Sequence, residues 1–108
     1  PVSLFFFKNP EDYNEKSLRK FKTEENILLL QSLSDFFKTI SSFNSIALKT
    51  SLEKIIFEKE WSFGKTLGLL RLAMVGELSG PDLFSLMQEL KKEACTKRIA
   101  ALLEVLKT

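Results

Sequence analysis

Histidine is missing from all 108 residues, and cysteine occurs once, as Cys95. The first absence removes imidazole from acid–base catalysis and from metal ligation. Together the two leave no zinc site of Cys/His type and no internal disulfide. A single thiol on a helix reads as a small apolar packing residue, and a chain without disulfides agrees with a reducing cytosol. Long apolar runs are also lacking. Stretches such as Leu4 to Phe7 and Ile27 to Leu30 stop after four residues, far short of the roughly 20 that span a bilayer. No secretory leader pattern and no phosphate-binding Gly-x-x-x-x-Gly-Lys-Ser/Thr loop occurs. The acidic pairs Glu11-Asp12 and Glu24-Glu25 are adjacent in sequence, so they splay on a helix rather than face each other.

An excess of one charge is nearly absent too: 16 Lys and Arg stand against 14 Asp and Glu, a net charge of +2. Residues 1–60 carry nine basic and nine acidic groups, and residues 61–108 carry seven basic and five acidic. The small surplus therefore sits in the second half. A dedicated nucleic-acid domain is usually far more basic, so charge alone does not indicate RNA.

What the chain does have is 44% apolar residues in helical periodicity, enough for one domain with its own core. Val2 to Phe7 forms an apolar entry segment that packs on this domain or seals against a preceding one, and Asn9-Pro10 marks a turn or a helix start. Asn14 to Phe21 reads as a short polar helix. Thr23 is a good N-cap, with Glu24 and Glu25 in the first turn behind it. Leu29, Leu33, Phe36, Ile40 and Phe43 then recur at steps of three and four, predicting a long amphipathic helix.

Asn44 or Ser45 caps a third helix, with Leu48, Leu52, Ile55 and Ile56 inward and an end near Glu58-Lys59-Glu60. Trp61 follows as either an anchor between helices or a stacking platform for a base. Leu83, Leu86, Met87 and Leu90 form one further stripe, and Ile99, Leu102, Leu103 and Leu106 another. No alternating run of strand type and no internal repeat occurs. The expectation is an all-α bundle of about six helices.

The most tightly specified stretch is Phe63 to Gly76. It holds Gly64, Gly68 and Gly76, three of the four glycines, and the fourth, Gly80, precedes Pro81. Leu67, Leu70 and Met74 fall at helical spacing, Gly76 can end that helix in a left-handed conformation, and Pro81 can open the next. This makes a helix–loop–helix corner carrying one basic side chain, Arg71. That side chain either snorkels to the surface or points into a site.

Gly64-Lys65, Leu70-Arg71-Leu72-Ala73, Gly76 and Gly80-Pro81-Asp82-Leu83 together resemble the C-terminal anticodon-binding domain of bacterial glutamyl-tRNA synthetase, a class I aminoacyl-tRNA synthetase. Lys92-Glu93 with Lys97-Arg98-Ile99 resembles that family's closing helix, and Phe7, Pro10 and Tyr13 its entry segment. The sequence departs from the family's pattern at Leu69, Val75 and Lys91, where proline, threonine and glycine are frequent.

The resemblance implies a single domain over 1–108, with 1–60 as a first helical half and 61–108 as the half that faces the anticodon. It also implies that Arg71, Gly80, Pro81 and Leu83 lie near splayed bases of the glutamate tRNA anticodon loop. Arg71 would bond or stack on a base, Gly80 would let RNA approach the backbone, Pro81 would stiffen the turn, and Leu83 would give a base an apolar wall. Each has a plainer role available: Gly80-Pro81 is common punctuation before a helix, and Leu83 belongs to a core stripe. Lys91, Lys92, Lys97 and Arg98 are candidate phosphate contacts or simply a solvated face.

Neither ATP-binding signature of class I synthetases occurs, and the chain begins with proline rather than methionine. It is therefore expected to be a non-catalytic piece of a longer cytoplasmic protein, holding no cofactor itself. ATP and Mg would belong to the parent's N-terminal catalytic domain, a second partner beside tRNA. The alternative is a helical protein–protein interaction module.

Overall fold

The computed structural model describes residues 13–76 and 82–107. Expectations for Phe5–Phe7, for Asn9-Pro10 and for Gly80-Pro81 lie outside those residues. Helix α1 spans Glu15–Phe21, α2 Glu24–Thr39, α3 Ser45–Lys59, α4 Phe63–Val75 and α5 Leu83–Lys107. There is no strand among the described residues, in agreement with the all-α expectation.

Each helix starts where a short polar side chain can replace a missing intrahelical acceptor. Asn14 accepts from the Ser17 N–H at 3.0 Å and Thr23 from Asn26 at 3.3 Å. Asn44 accepts from Ala47 at 2.8 Å, Ser62 from Lys65 at 3.3 Å and Asp82 from Ser85 at 2.9 Å. The ends are equally local. Gly76, at φ 86°, closes α4 with its N–H on Leu72 O, and Glu60 closes α3 at φ 56°.

Two boundaries differ from the sequence reading. Helix α2 stops at Thr39 instead of running to Phe43, because Ile40 is extended at φ −74° and ψ 143°. Phe43 then returns to pack edge-on against Phe37, ring centroids 6.2 Å apart. Among the described residues there are five helices rather than about six, the last of them interrupted by non-helical backbone at Lys91. Lys91 sits at φ 72° and ψ 162°, a region that glycine tolerates and side chains do not.

Helix α5 packs against α2, α3 and α4, and it contributes Leu83, Leu86, Met87, Leu90, Cys95, Ile99, Leu102, Leu103 and Leu106 to the core. Both predicted stripes of α5 are therefore buried. The second half of α4 is covered on most sides: Leu69, Leu70, Leu72, Ala73 and Met74 are each 0% exposed. Truncating a side chain so enclosed costs about 2–5 kcal/mol. What α4 leaves open is one strip, and Arg71 stands on it.

A basic strip on α4 as candidate nucleic-acid interface

Gly64, Gly68 and Arg71 follow at steps of four and three, so they share one face of α4. A Cβ built on Gly64 would meet no atom within 4 Å, which leaves bare backbone at the surface. Across from this strip lies α1. Between them is a groove of about 250 Å³, lined by Lys20 and Phe21 from α1 and by Gly64, Lys65, Gly68 and Arg71 from α4. Lys20 also lies over the Phe21 ring, with Nζ 5.6 Å from its centroid, and Lys65 reaches Glu25 at 3.9 Å across solvent. Half-buried Arg71 thus stands in a concave basic surface.

The start of α5 belongs to the same corner. Asp82 is held below the usual carboxylate range chiefly by its hydrogen bonds from Ser85, with further lowering from the charges of Arg71 and Lys49. Arg71 is therefore close enough to the first turn of α5 to act on it electrostatically. Gly80 and Pro81, the other expected members, fall outside the described residues. Of the two readings of Leu83, the core stripe describes its position, for it is 2% exposed beside Leu86 and Met87.

The four expected phosphate contacts divide. Lys91 and Lys97 are exposed, and Lys97 pairs with Glu93 at 3.4 Å one helical turn away. Lys92 is engaged otherwise: its Nζ donates to Lys38 O at 2.9 Å and to Ile40 O at 3.0 Å, capping the C-terminal end of α2. Arg98 is 2% exposed and donates from Nη1 to Met74 O near the end of α4. Burial holds its guanidinium less basic than usual, an effect partly offset by Cys95 and Tyr13. The surface role expected for Arg98 is corrected accordingly. Helix ends leave carbonyls without intrahelical donors, and these two cations satisfy them.

Sequence reasoning missed Lys20 and Lys65 as neighbours of Arg71. The four-and-three spacing from Gly64 through Gly68 to Arg71 was an available signal for the open strip. Lys20 carries no such signal, because only the packing of α1 on α4 brings it there. Trp61 is half-buried against the core, with its backbone N–H on Ile56 O at 3.0 Å, which fits the anchor reading. Cys95 is 0% exposed, and burial pushes its thiol up to about 12, as befits an inert packing residue. Among the described residues no group of His, Cys, Asp or Glu is placed to hold a metal ion, and no helix is long and apolar enough to cross a membrane.

A helical domain with one concave basic strip has the build of a module that holds a nucleic acid, and comparison with known proteins gives its class. The chain belongs to the anticodon binding domain family, whose model matches residues 1–103. Its relatives are glutamate–tRNA ligases. The ligase of Christiangramia forsetii is 36% identical over 103 residues, 95% of this chain and 20% of that protein. The ligase of Flavobacterium johnsoniae is 34% identical over 95 residues, 88% of this chain and 19% of that protein. A crystal structure of a glutamate tRNA ligase from Elizabethkingia meningosepticum in complex with its amino acid superposes with a TM-score of 0.87 at 35% identity, covering 96% of this chain and 20% of that one. The chain thus spans about a fifth of the length of the relatives it matches.

Proposed function

We propose that this chain is the C-terminal anticodon-binding domain of a glutamate–tRNA ligase, and that it reads the anticodon loop of glutamate tRNA without catalysing a reaction itself. The observation that carries the reading is the placement of Arg71 in a groove with Lys20 and Lys65, beside bare glycine backbone. A guanidinium so placed offers a planar fork to a base edge or a face on which a splayed base stacks. Lys20 and Lys65 supply phosphate contacts, which fix register and carry no sequence information. The glycines let the RNA backbone approach α4 closely.

Gly80 and Pro81, which directly precede Asp82 in sequence, are the further base-facing residues that the family resemblance implies. The parent's N-terminal catalytic domain supplies ATP, Mg and glutamate, in the cytoplasm, and anticodon reading here selects which tRNA reaches it. One bidentate base contact is worth about 1–3 kcal/mol of discrimination. With a net charge of only +2, the domain alone binds weakly.

The test is fluorescence anisotropy at low salt with a glutamate-tRNA anticodon stem–loop, beside hairpins with altered anticodon bases. Preference for the cognate loop that disappears in Arg71→Ala supports the reading. Equal affinity for all hairpins reduces the strip to a phosphate-holding surface.

A second reading, a protein-binding module, draws on a separate groove of about 650 Å³ where Phe57, Trp61 and Phe63 meet Glu53, Glu58 and Glu60, with Phe57 85% exposed. Its acidic rim repels phosphate. A partner held there would stay bound as salt rises, whereas RNA would be released.

A further inference from the structure

The C-terminal end of α4 is held from two other elements. Arg98, reaching from α5, donates to Met74 O. The Asn14 backbone N–H, at the entrance to α1, donates to Gly76 O at 2.7 Å, while the Gly76 N–H itself closes on Leu72 O at 2.9 Å. These carbonyls are the negative pole of the helix, and a cation against them is favourable.

Arginine is nevertheless an uneconomical way to fill this position. The side chain is 2% exposed, and its Nε–H meets no partner among the described residues. A buried charge that returns one carbonyl hydrogen bond loses more in desolvation than an apolar side chain of similar size would. Packing therefore does not account for it; what it provides is a fixed point. Met74 lies in the last turn of α4, three residues beyond Arg71, which directly precedes that turn and whose carbonyl faces an N–H four residues on within it, and Gly76 closes the helix.

We infer that Arg98 is a positioning residue for RNA reading: by holding the Met74 carbonyl it fixes the last turn of α4, and with it the direction in which Arg71 projects. The inference rests on the proposed role of Arg71. Without the clamp, the last turn frays as helix ends do, and Arg71 keeps its charge but not its aim.

The test uses the 108-residue chain with Arg98→Met, which removes charge and donor, and Arg98→Lys, which keeps both. By amide exchange without RNA, Arg98→Met exchanges the Gly76 and Asn14 amides about tenfold faster, the scale of one lost helix-end interaction, while Leu69 and Leu70 are unchanged. With RNA, the ratio of cognate to altered hairpin affinity falls about fivefold, with affinity for the altered hairpins retained. Arg98→Lys restores both readouts.

Unchanged Gly76 and Asn14 amides would overturn the inference. So would an unfolded Arg98→Met, or protection lost evenly over α4 and α5 with the affinity ratio preserved, since each makes Arg98 purely structural. A wild-type chain that prefers no hairpin would sink the reading of Arg71, and with it the RNA role of Arg98. The amide exchange would still decide whether the clamp exists.

Discussion

Two groups of cations on this domain do opposite work. Lys20, Lys65 and Arg71 line an open groove between α1 and α4. Lys92 and Arg98 turn inward onto main-chain carbonyls, Lys92 at the end of α2 and Arg98 at the end of α4. Sequence alone does not sort them, since each is a basic side chain on a helix with an apolar stripe. What separates them is the company of unsatisfied carbonyls, which only the fold supplies. A count of basic residues thus overstates the charge left at the surface, and it also hides which cations hold helix ends.

The comparison breaks most sharply at Arg71. Arg71→Ala is expected to cost the cognate anticodon hairpin about 1–3 kcal/mol, roughly ten- to a hundredfold in Kd, while chemical denaturation shows a loss of stability of at most about 1 kcal/mol. Lys92→Met should do the reverse. Leaving Lys38 O and Ile40 O without their donor lowers unfolding free energy by about 1–2 kcal/mol, and hairpin affinity stays within about twofold.

Lys91→Gly sharpens the contrast from the side of strain. It removes a side chain from a conformation that suits only glycine and raises stability by about 1 kcal/mol in urea titrations. This is the position where the resembling family frequently has glycine, so the substitution restores the pattern rather than departing from it.

A smaller effect is expected at Asp82. Its carboxyl is lowered in the folded state, so its contribution is fully present above the ordinary aspartate pKa and is lost as pH falls through the folded value. Asp82→Asn keeps a capping oxygen and should flatten that part of the stability–pH curve.

Much of the helical layout was legible because it is local. Thr23 and Asn44 cap the helices they precede, Gly76 takes the left-handed conformation at the end of α4, and the stripes Leu83 to Leu90 and Ile99 to Leu106 are buried. The overrun of α2 was not legible. Ile40 and Phe43 continue the helical spacing, but Phe43 finds its partner Phe37 by leaving the helix.

Arg71 stood out as the one basic residue in an apolar run, and the structure places it half-buried on the least covered strip of α4. The inward roles of Lys92 and Arg98, expected as phosphate contacts, were not legible, because their acceptors are backbone carbonyls 54, 52 and 24 residues away. Carbonyls leave no mark on a sequence. The backbone of Lys91 escaped for a related reason: a positive φ at a lysine contradicts local preference and persists only because packing on both sides imposes it.

The division of cations is tested most directly by the salt dependence of hairpin binding in Lys65→Ala and Lys92→Met, measured in parallel with the wild-type chain. The account predicts that the slope of log affinity against log salt falls by about one for Lys65→Ala and is unchanged for Lys92→Met. A reduced slope for Lys92→Met with none for Lys65→Ala would contradict it, placing the RNA on the face of α5 and not in the groove beside Arg71.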